Sequence, residues 1–289
     1  MLTRLKNLFS NRKRVDLDKR FAKLARVGQG SMSKLYKARD LQTGRIVALK
    51  VLDKEKTERL MQRTFGGKTR PSEGEIAVSL RHPNVVTTYE HGIATTGEQF
   101  LVMEFIEGVG LNYLIDTNDP SLKGRRVELL IQGAEALAYV HKAGYIHRDV
   151  CPRNLLVSND GVVKLIDFGL AVPNTPEFRA PGNRTGTPQY MAPELIRREP
   201  TDERIDVFSY AVTAYEVLTG HLPWEGPDTL QIMLAHINQP PKDPREYRPD
   251  LDDDIVRLLY RGLAQNPNRR IRSMREFVDL LRSLPRQDY

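Results

Sequence analysis

The stretch IHRDVCPRNLLV, Ile146 to Val157, followed closely by LIDFGLA, Leu165 to Ala171, decides how this chain is read. Between the two, Asn159, Asp160 and Gly161 separate apolar runs, the pattern of a hairpin turn. A hairpin returns the chain on itself, so the loops at its base converge. Asp149 and Asn154 lie five residues apart in the first loop, and Asp167 lies in the second. Carboxylate and amide oxygens are hard donors suited to Mg²⁺, and a further carboxylate can orient an attacking hydroxyl. Transfer of a phosphoryl group needs that combination. Any one of these acids has an ordinary structural explanation; the set at these spacings does not.

Upstream, VGQGSMSKLY, Val27 to Tyr36, places glycines at a strand-to-strand turn, where bare backbone N–H groups can approach phosphate oxygens. Ser33 stands where the third glycine of GxGxxG would fall, and a plain hairpin turn also accounts for the pattern. Lys50 ends VALK, Val47 to Lys50, and a lysine within an apolar strand is costly unless a counter-charge meets it. A phosphate and a glutamate would supply that charge. Glu73 is the first choice and Glu75 its rival, both on a short helix from Glu73 to Leu80 that HPN stops. From Phe21 to about Leu101 the chain reads as strands with this one helix, TFGGKTRPSEG being a loop. After Gly110 long amphipathic helices take over, beginning with VELLIQGAEALAYVHKAG. Asp167 to Glu194 is loop-like, with five prolines and three glycines. The expected class is therefore α+β, a small β-rich lobe before a larger helical one.

Composition sets the outer limits. The chain has 289 residues, 40% hydrophobic and 28% charged, as in ordinary soluble globular proteins. No run approaches the roughly 20 apolar residues that span a bilayer, and no secretory signal is visible. Cys151 is the only cysteine, which excludes a disulfide framework and fits a reducing, cytoplasmic setting. The net charge of +7 sits almost wholly in the first 23 residues, eight basic side chains against Asp16 and Asp18. A nucleic-acid-binding face would need that excess on the folded part, so none is expected. Leu2, Leu5, Leu8 and Phe9 give the segment an amphipathic helical spacing. It reads either as a weak contact for anionic membrane or an acidic partner, or as a solvated arm.

Together these motifs resemble the eukaryotic-type (Hanks-type) protein kinases, over about Phe21 to Leu284. VGQGSMSKL is similar to the glycine-rich loop, VALK to the strand lysine, HRDVCPRN to the catalytic loop, DFG to the metal-binding motif and GTPQYMAPE to the end of an activation segment. IDVFSYAV, with Asp206, resembles the central buried helix. The resemblance implies a bilobal protein kinase fold: a basic arm over 1–20, lobes of about 21–104 and 108–284, and a tail over 285–289. It implies ATP and Mg²⁺ as cofactors, protein substrates, Asp149 as catalytic base, and Asn154 and Asp167 as metal ligands. Lys50 would hold the α- and β-phosphates and pair with Glu73. Val27, Gly28, Gly30, Ser31, Ser33, Leu35 and Ala48 would line the nucleotide, Met103 would sit behind adenine, and Glu104 to Ile106 would offer hinge backbone. Arg148 would receive a phosphate on the activation segment, with Thr185 the first candidate, Thr175 a weaker one and Thr187 adjacent. Glu194 would pair with Arg269.

Cys151 departs from the family, whose serine/threonine members carry lysine at that position. Arg153 could supply the missing charge, as arginine does in many tyrosine kinases. Thr187, in GTPQYMAPE, instead follows the serine/threonine pattern. A serine/threonine kinase of the bacterial soluble type is the reading, with a tyrosine or dual-specificity kinase and a non-catalytic scaffold as alternatives. The thiol itself reads either as a redox-sensitive brake, its neighbours Arg148 and Arg153 favouring thiolate, or as a small neutral filler. Oligomeric state has no sequence signal.

Overall fold

A computed structural model describes residues 14–29, 32–66, 68–182, 184–286 and 289. The amphipathic segment from Leu2 to Phe9, and Gly30 and Ser31 of the glycine turn, lie outside the described residues. The chain divides into two compact units, one comprising residues up to Arg81 with Val86–Ile106, the other His82–Val85 with Glu107–Tyr289.

The first unit opens with a one-turn helix, α1 (Leu17–Arg20), capped by Asp16, and continues into β1 (Phe21–Gln29), β2 (Ser33–Asp40) and β3 (Ile46–Leu52). Helices α2 (Lys54–Phe65) and α3 (Glu73–Ser79) follow, then β4 (Thr88–Ile93) and β5 (Gln99–Glu104). The strands form one antiparallel sheet in the order β1-β2-β3-β5-β4. Strand periodicity explains what each face does. Val47, Leu49 and Val51 enter a cluster with Leu17, Phe21, Ala38, Phe100 and Val102, where Phe21 meets Phe100 edge-on at 6.5 Å. Each such side chain contributes about 1.5–3 kcal/mol on burial. Ala48 and Lys50 therefore belong to the opposite face.

Two features depart from the sequence reading. Residues 15–20, assigned to the arm on charge alone, are part of this unit. Val15 bridges to Ala94, Leu17 is buried, and the Arg20 guanidinium donates to both oxygens of Glu90 at 2.9 and 2.7 Å and to Asp40. A charge run cannot reveal acids 20 and 70 positions away that neutralise it. The second is α2, an additional helix where only strands and loop were expected. Asp53 caps it, Gly66 closes it at φ +56°, and its long polar face hides the weak apolar spacing that buries Phe65.

The second unit is mainly helical, and its α+β complement bears out the expected fold class. It contains β6 (Gly108–Gly110), α4 (Leu111–Asp116), α5 (Arg126–Lys142), β7 (Tyr145–Ile146), β8 (Leu155–Ser158), β9 (Val163–Leu165) and β10 (Val172–Pro173). Then come α6 (Pro176–Arg179), α7 (Pro193–Ile196), α8 (Arg204–Thr219), α9 (Thr229–Asn238), α10 (Asp253–Gly262) and α11 (Met274–Arg282). Helix α8 is buried nearly all round, Asp206, Ser209 and Thr213 included, as suits a central helix. The hairpin β8–β9 forms as read, with Gly161 at φ +77° in its turn. The last residue, Tyr289, is buried, its hydroxyl on Asp252 and its carbonyl accepting from Gly124 N–H. Among the described residues no helix is long and apolar enough to cross a membrane.

Candidate active site

In the first unit, the strand period delivers Lys50 to the face covered by α3. Its Nζ lies 2.6 Å from Glu73 Oε1, both side chains about nine-tenths buried. Glu75 is spent elsewhere: with Ser72 it forms a reciprocal capping box, each side chain bonding the other residue's backbone N–H. The helix start decides between the two acids, because the third helical position faces back to the cap. Leu35 pairs across to Lys50, Ser33 to Leu52, and Ala48 to Met103. Gly28 pairs with Leu35 at a register shift in β1, and Val27 is exposed. The Glu104 N–H is committed to Thr87 O at 2.9 Å. Ile106 ends the first unit beyond β5.

In the second unit, the two loops are tied together by His147 and Asn154. His147 Nε2 lies 3.2 Å from Ile166 O, its ring meets Phe168 edge-on at 5.3 Å, and Ile166 N–H donates to Asn154 O. His147 Nδ1 accepts from Asp149 N–H, which assigns the proton to Nε2. Asn154 Nδ2 donates to Asp149 O at 2.7 Å and to Asp149 Oδ2 at 3.1 Å. Its amide nitrogen is thereby spent, leaving the carbonyl oxygen for a cation. Asp149 Oδ1 accepts from both Thr187 N–H and Thr187 Oγ1–H, each at 2.8 Å. Gly186 makes that approach possible, at φ +115° and with an added Cβ falling 2.5 Å from Arg148 O. Asp167 is exposed, at φ +64°, with Gly169 N–H donating to its Oδ1.

Beneath Asp149 lies a buried support. Arg148 also takes a positive φ, +69°, a conformation that costs a non-glycine residue about 1–2 kcal/mol. Asp206, fully buried on α8, offsets that strain by accepting from His147 N–H at 2.7 Å and Arg148 N–H at 2.8 Å. His141 Nε2 adds a third contact at 2.8 Å. Burial works to raise the Asp206 carboxyl, but the His141 hydrogen bond and charge and the backbone donors outweigh it and hold it below the ordinary value.

The comparisons with known proteins agree with this geometry. The protein kinase domain family matches residues 21–280. The chain belongs to the protein kinase family. It is 33% identical over 267 residues to serine/threonine-protein kinase PknB of Mycolicibacterium smegmatis, covering 89% of this chain and 41% of that protein. Serine/threonine-protein kinase pkn3 of Myxococcus xanthus is 32% identical over 279 residues, 91% of this chain and 49% of that one. PknB of Mycobacterium tuberculosis is 34% identical over 267 residues, 89% and 41%. The chain thus spans less than half the length of these kinases.

Two readings of the kinase motifs change with particular contacts. Glu194 pairs with Arg270, not Arg269: Arg270 Nη1 and Nη2 lie 2.7 and 3.0 Å from its carboxylate, with both residues buried. The two arginines are adjacent, and the 3₁₀ turn Pro267–Arg269 leaves Arg269 outside while Arg270 turns in. The redox reading of Cys151 fails. The thiol is 2% exposed, and burial followed by the Asp149 charge pushes it up to about 11, so it is a neutral filler. Thr187 Oγ1 lies 3.9 Å away, and the Asn154 backbone N–H also meets the sulfur. Arg153 is exposed, and its charge acts on both Cys151 and Glu216. Missed in the sequence were the Tyr190 hydroxyl donating to Glu216 at 2.6 Å and the His141–Asp206 contact. The first joins the 3₁₀ turn Pro188–Tyr190 to α8 across 26 positions and the second joins α5 to α8 across 65, and neither residue pair carries a local motif. Thr187 sits on Asp149, while Thr185 Oγ1 is buried without a hydrogen-bond partner. Thr175 precedes α6 as its cap residue.

Proposed function

We propose that the chain is an ATP- and Mg²⁺-dependent protein kinase that phosphorylates serine or threonine hydroxyls on protein substrates. The observation carrying this is the Asp149 carboxylate fixed by Thr187 and Asn154. With Oδ1 bound twice by Thr187, the Oδ2 edge is the one left to accept the proton of an incoming hydroxyl. Lys50, oriented by Glu73, presents its ammonium to phosphate oxygens. The donor set fits Mg²⁺: one exposed carboxylate, Asp167, and the Asn154 carbonyl are both hard oxygens. Among the described residues no three His, Cys, Asp or Glu side chains form a self-sufficient cage, so phosphate and water would complete the shell. Bound there, the ion would neutralise charge on the phosphates. Arg153 supplies the cation that the family's lysine gives elsewhere. The kinase works in the cytoplasm.

Control of activity would rest on Arg148 and Thr185. Burial disfavours the charged Arg148 guanidinium, which an added anion would offset, and Thr185 Oγ1 is buried without a hydrogen-bond partner among the described residues. A phosphate on Thr185 would pair with Arg148 and order the segment before Gly186. Incubation with labelled ATP, Mg²⁺ and a generic basic protein tests the whole reading. Labelled phosphoserine or phosphothreonine is expected on hydrolysis. Phosphotyrosine alone would overturn the specificity, and no transfer would leave a scaffold.

A further inference from the structure

The face of the first unit's sheet that carries Lys50 holds a second lysine. The register places Leu35 opposite Lys50 and Lys37 opposite Ala48, and directly opposed residues of an antiparallel pair point to the same side. Ala48 in turn opposes Met103, so Lys37, Ala48 and Met103 form one row across β2, β3 and β5. Their chain neighbours Tyr36, Ala38, Val47, Leu49 and Val102 go to the other side, into the core. The row lies two residues from Lys50 along β3, a rise of roughly 7 Å. Lys37 is half-buried there, and an ammonium on a largely apolar face is costly unless negative potential meets it. The face of the Phe105 ring supplies some: Lys37 Nζ stands over it, 4.5 Å from the centroid.

The place of Phe105 in the chain gives that contact a consequence. Strand β5 ends at Glu104, which is clamped twice to Thr87. Its N–H donates to Thr87 O at 2.9 Å, and its Oε1 accepts from Thr87 N–H at 2.7 Å. One residue later this clamping stops. Among the described residues neither Phe105 nor Ile106 makes a backbone hydrogen bond. The sheet therefore fixes the chain as far as Glu104, and beyond it the Phe105 side chain under Lys37 takes over. Backbone N–H and C=O groups at such a place suit the edge of a planar base, which offers donors and acceptors side by side.

Resting on the nucleotide reading proposed above, we infer that Lys37 is a positioning residue for the nucleotide base. By holding the Phe105 ring it fixes the Phe105 and Ile106 backbone against which the base bonds. Its task differs from that of Lys50, whose ammonium is oriented by Glu73 toward phosphate. Lys37 acts through a ring on a backbone, so its loss is felt by the base whether or not phosphates follow.

Titrations of ATP with Mg²⁺, and of adenosine alone, into wild type, Lys37→Met, Lys37→Arg and Phe105→Leu test this. Methionine keeps an unbranched apolar stem without the charge, while arginine keeps a cation for the ring. Lys37→Met should weaken ATP and adenosine by the same factor, about threefold to tenfold, the worth of one half-exposed cation–π contact. Phe105→Leu should do likewise, and the double variant should bind no worse than the weaker single one. Lys37→Arg should stay within about twofold of wild type. Amide exchange at Phe105 and Ile106 should quicken in Lys37→Met while that of Val102, inside the strand, does not. A loss confined to ATP would put Lys37 on the phosphates and overturn its assignment to the base. Strictly additive single variants, or an unweakened Lys37→Met, overturn the link through Phe105. Wild-type protein that binds neither ligand overturns the nucleotide reading itself, and this inference with it.

Discussion

Replacing Asp149 with asparagine separates its chemistry from its packing. The new side chain has nearly the same shape, and its oxygen can keep both Thr187 donors, each 2.8 Å away in the native site. Its amide nitrogen then faces Asn154 Nδ2, which donates to Oδ2 at 3.1 Å, so one hydrogen bond is replaced by two opposed donors. Asp149 is only half-buried, so water relieves part of that clash and the structural cost is about 1–2 kcal/mol. In a domain of this size the melting temperature falls by roughly 2–8 °C. The chemical cost is larger. Loss of the proton acceptor removes general-base assistance, worth about 10²–10⁴ in turnover, or about 3–5 kcal/mol in the barrier. Nucleotide binding, which rests on other side chains, stays within about threefold, far below one tenfold step in affinity. Initial rates at saturating ATP and substrate, a thermal melt and a nucleotide titration on the same preparation measure all three. A folded Asp149→Asn protein with near wild-type turnover would falsify the assignment of Asp149 as base.

Asp206→Ala leaves two buried backbone donors and His141 without their acceptor, and should cost about 3–5 kcal/mol, a fall of roughly 6–20 °C in melting temperature. A fall under about 3 °C would mean the strained Arg148 backbone is held by something else. Arg153→Ala should lower turnover about tenfold or more, the loss of one cation near the reacting phosphate, and Cys151→Lys should partly restore it. Strictly additive effects in that double-mutant cycle would show that the two positions do not share the role. His236, 1% exposed with its Nδ1 2.9 Å from Met191 O, is pushed down to about 4 by burial. Its folded value lies below its unfolded 6.5, so the unfolded chain takes up a proton first and stability declines as pH falls from 6.5 toward 4. By pH 5 the loss is about 2 kcal/mol, and His236→Asn, which keeps a donor to Met191, should melt roughly 4–8 °C less steeply below wild type's own pH 7 value. Parallel melting curves for the two proteins from pH 7 to 5 would remove His236 from the acid response.

What the sequence made legible in the fold was whatever has a short period or a fixed turn. The β8–β9 hairpin follows from two apolar runs around Asn159-Asp160-Gly161, and α8 from the resemblance of IDVFSYAV to the family's central buried helix. The segment from Val15 to Arg20 escaped because long-range partners stabilise it, and α2 because its polar face masks the spacing that buries Phe65. Arg20 needs Glu90, and Leu17 needs the far side of the sheet carrying Phe100. Local composition shows charge in both places and says nothing of what neutralises it.

The site divides along the same line. Lys50, Asp149, Asn154 and Asp167 are set by spacing within motifs, but the choice of Glu73 over Glu75 depended on which acid the helix cap consumes. The same limit governs Cys151. Two arginines beside it in sequence suggested a reactive thiolate, since charge adjacent along the chain is all that a sequence displays. In the fold Arg153 is exposed and the thiol faces inward beside Thr187 and below Asp149. Desolvation then exceeds the attraction of a screened, exposed guanidinium, and the Asp149 charge adds to it. A neutral group at this position gives the transferring phosphate no countercharge of its own. Under the proposed function the requirement would pass to the exposed Arg153, and its reach rather than its place in the chain is what the Arg153→Ala and Cys151→Lys cycle measures.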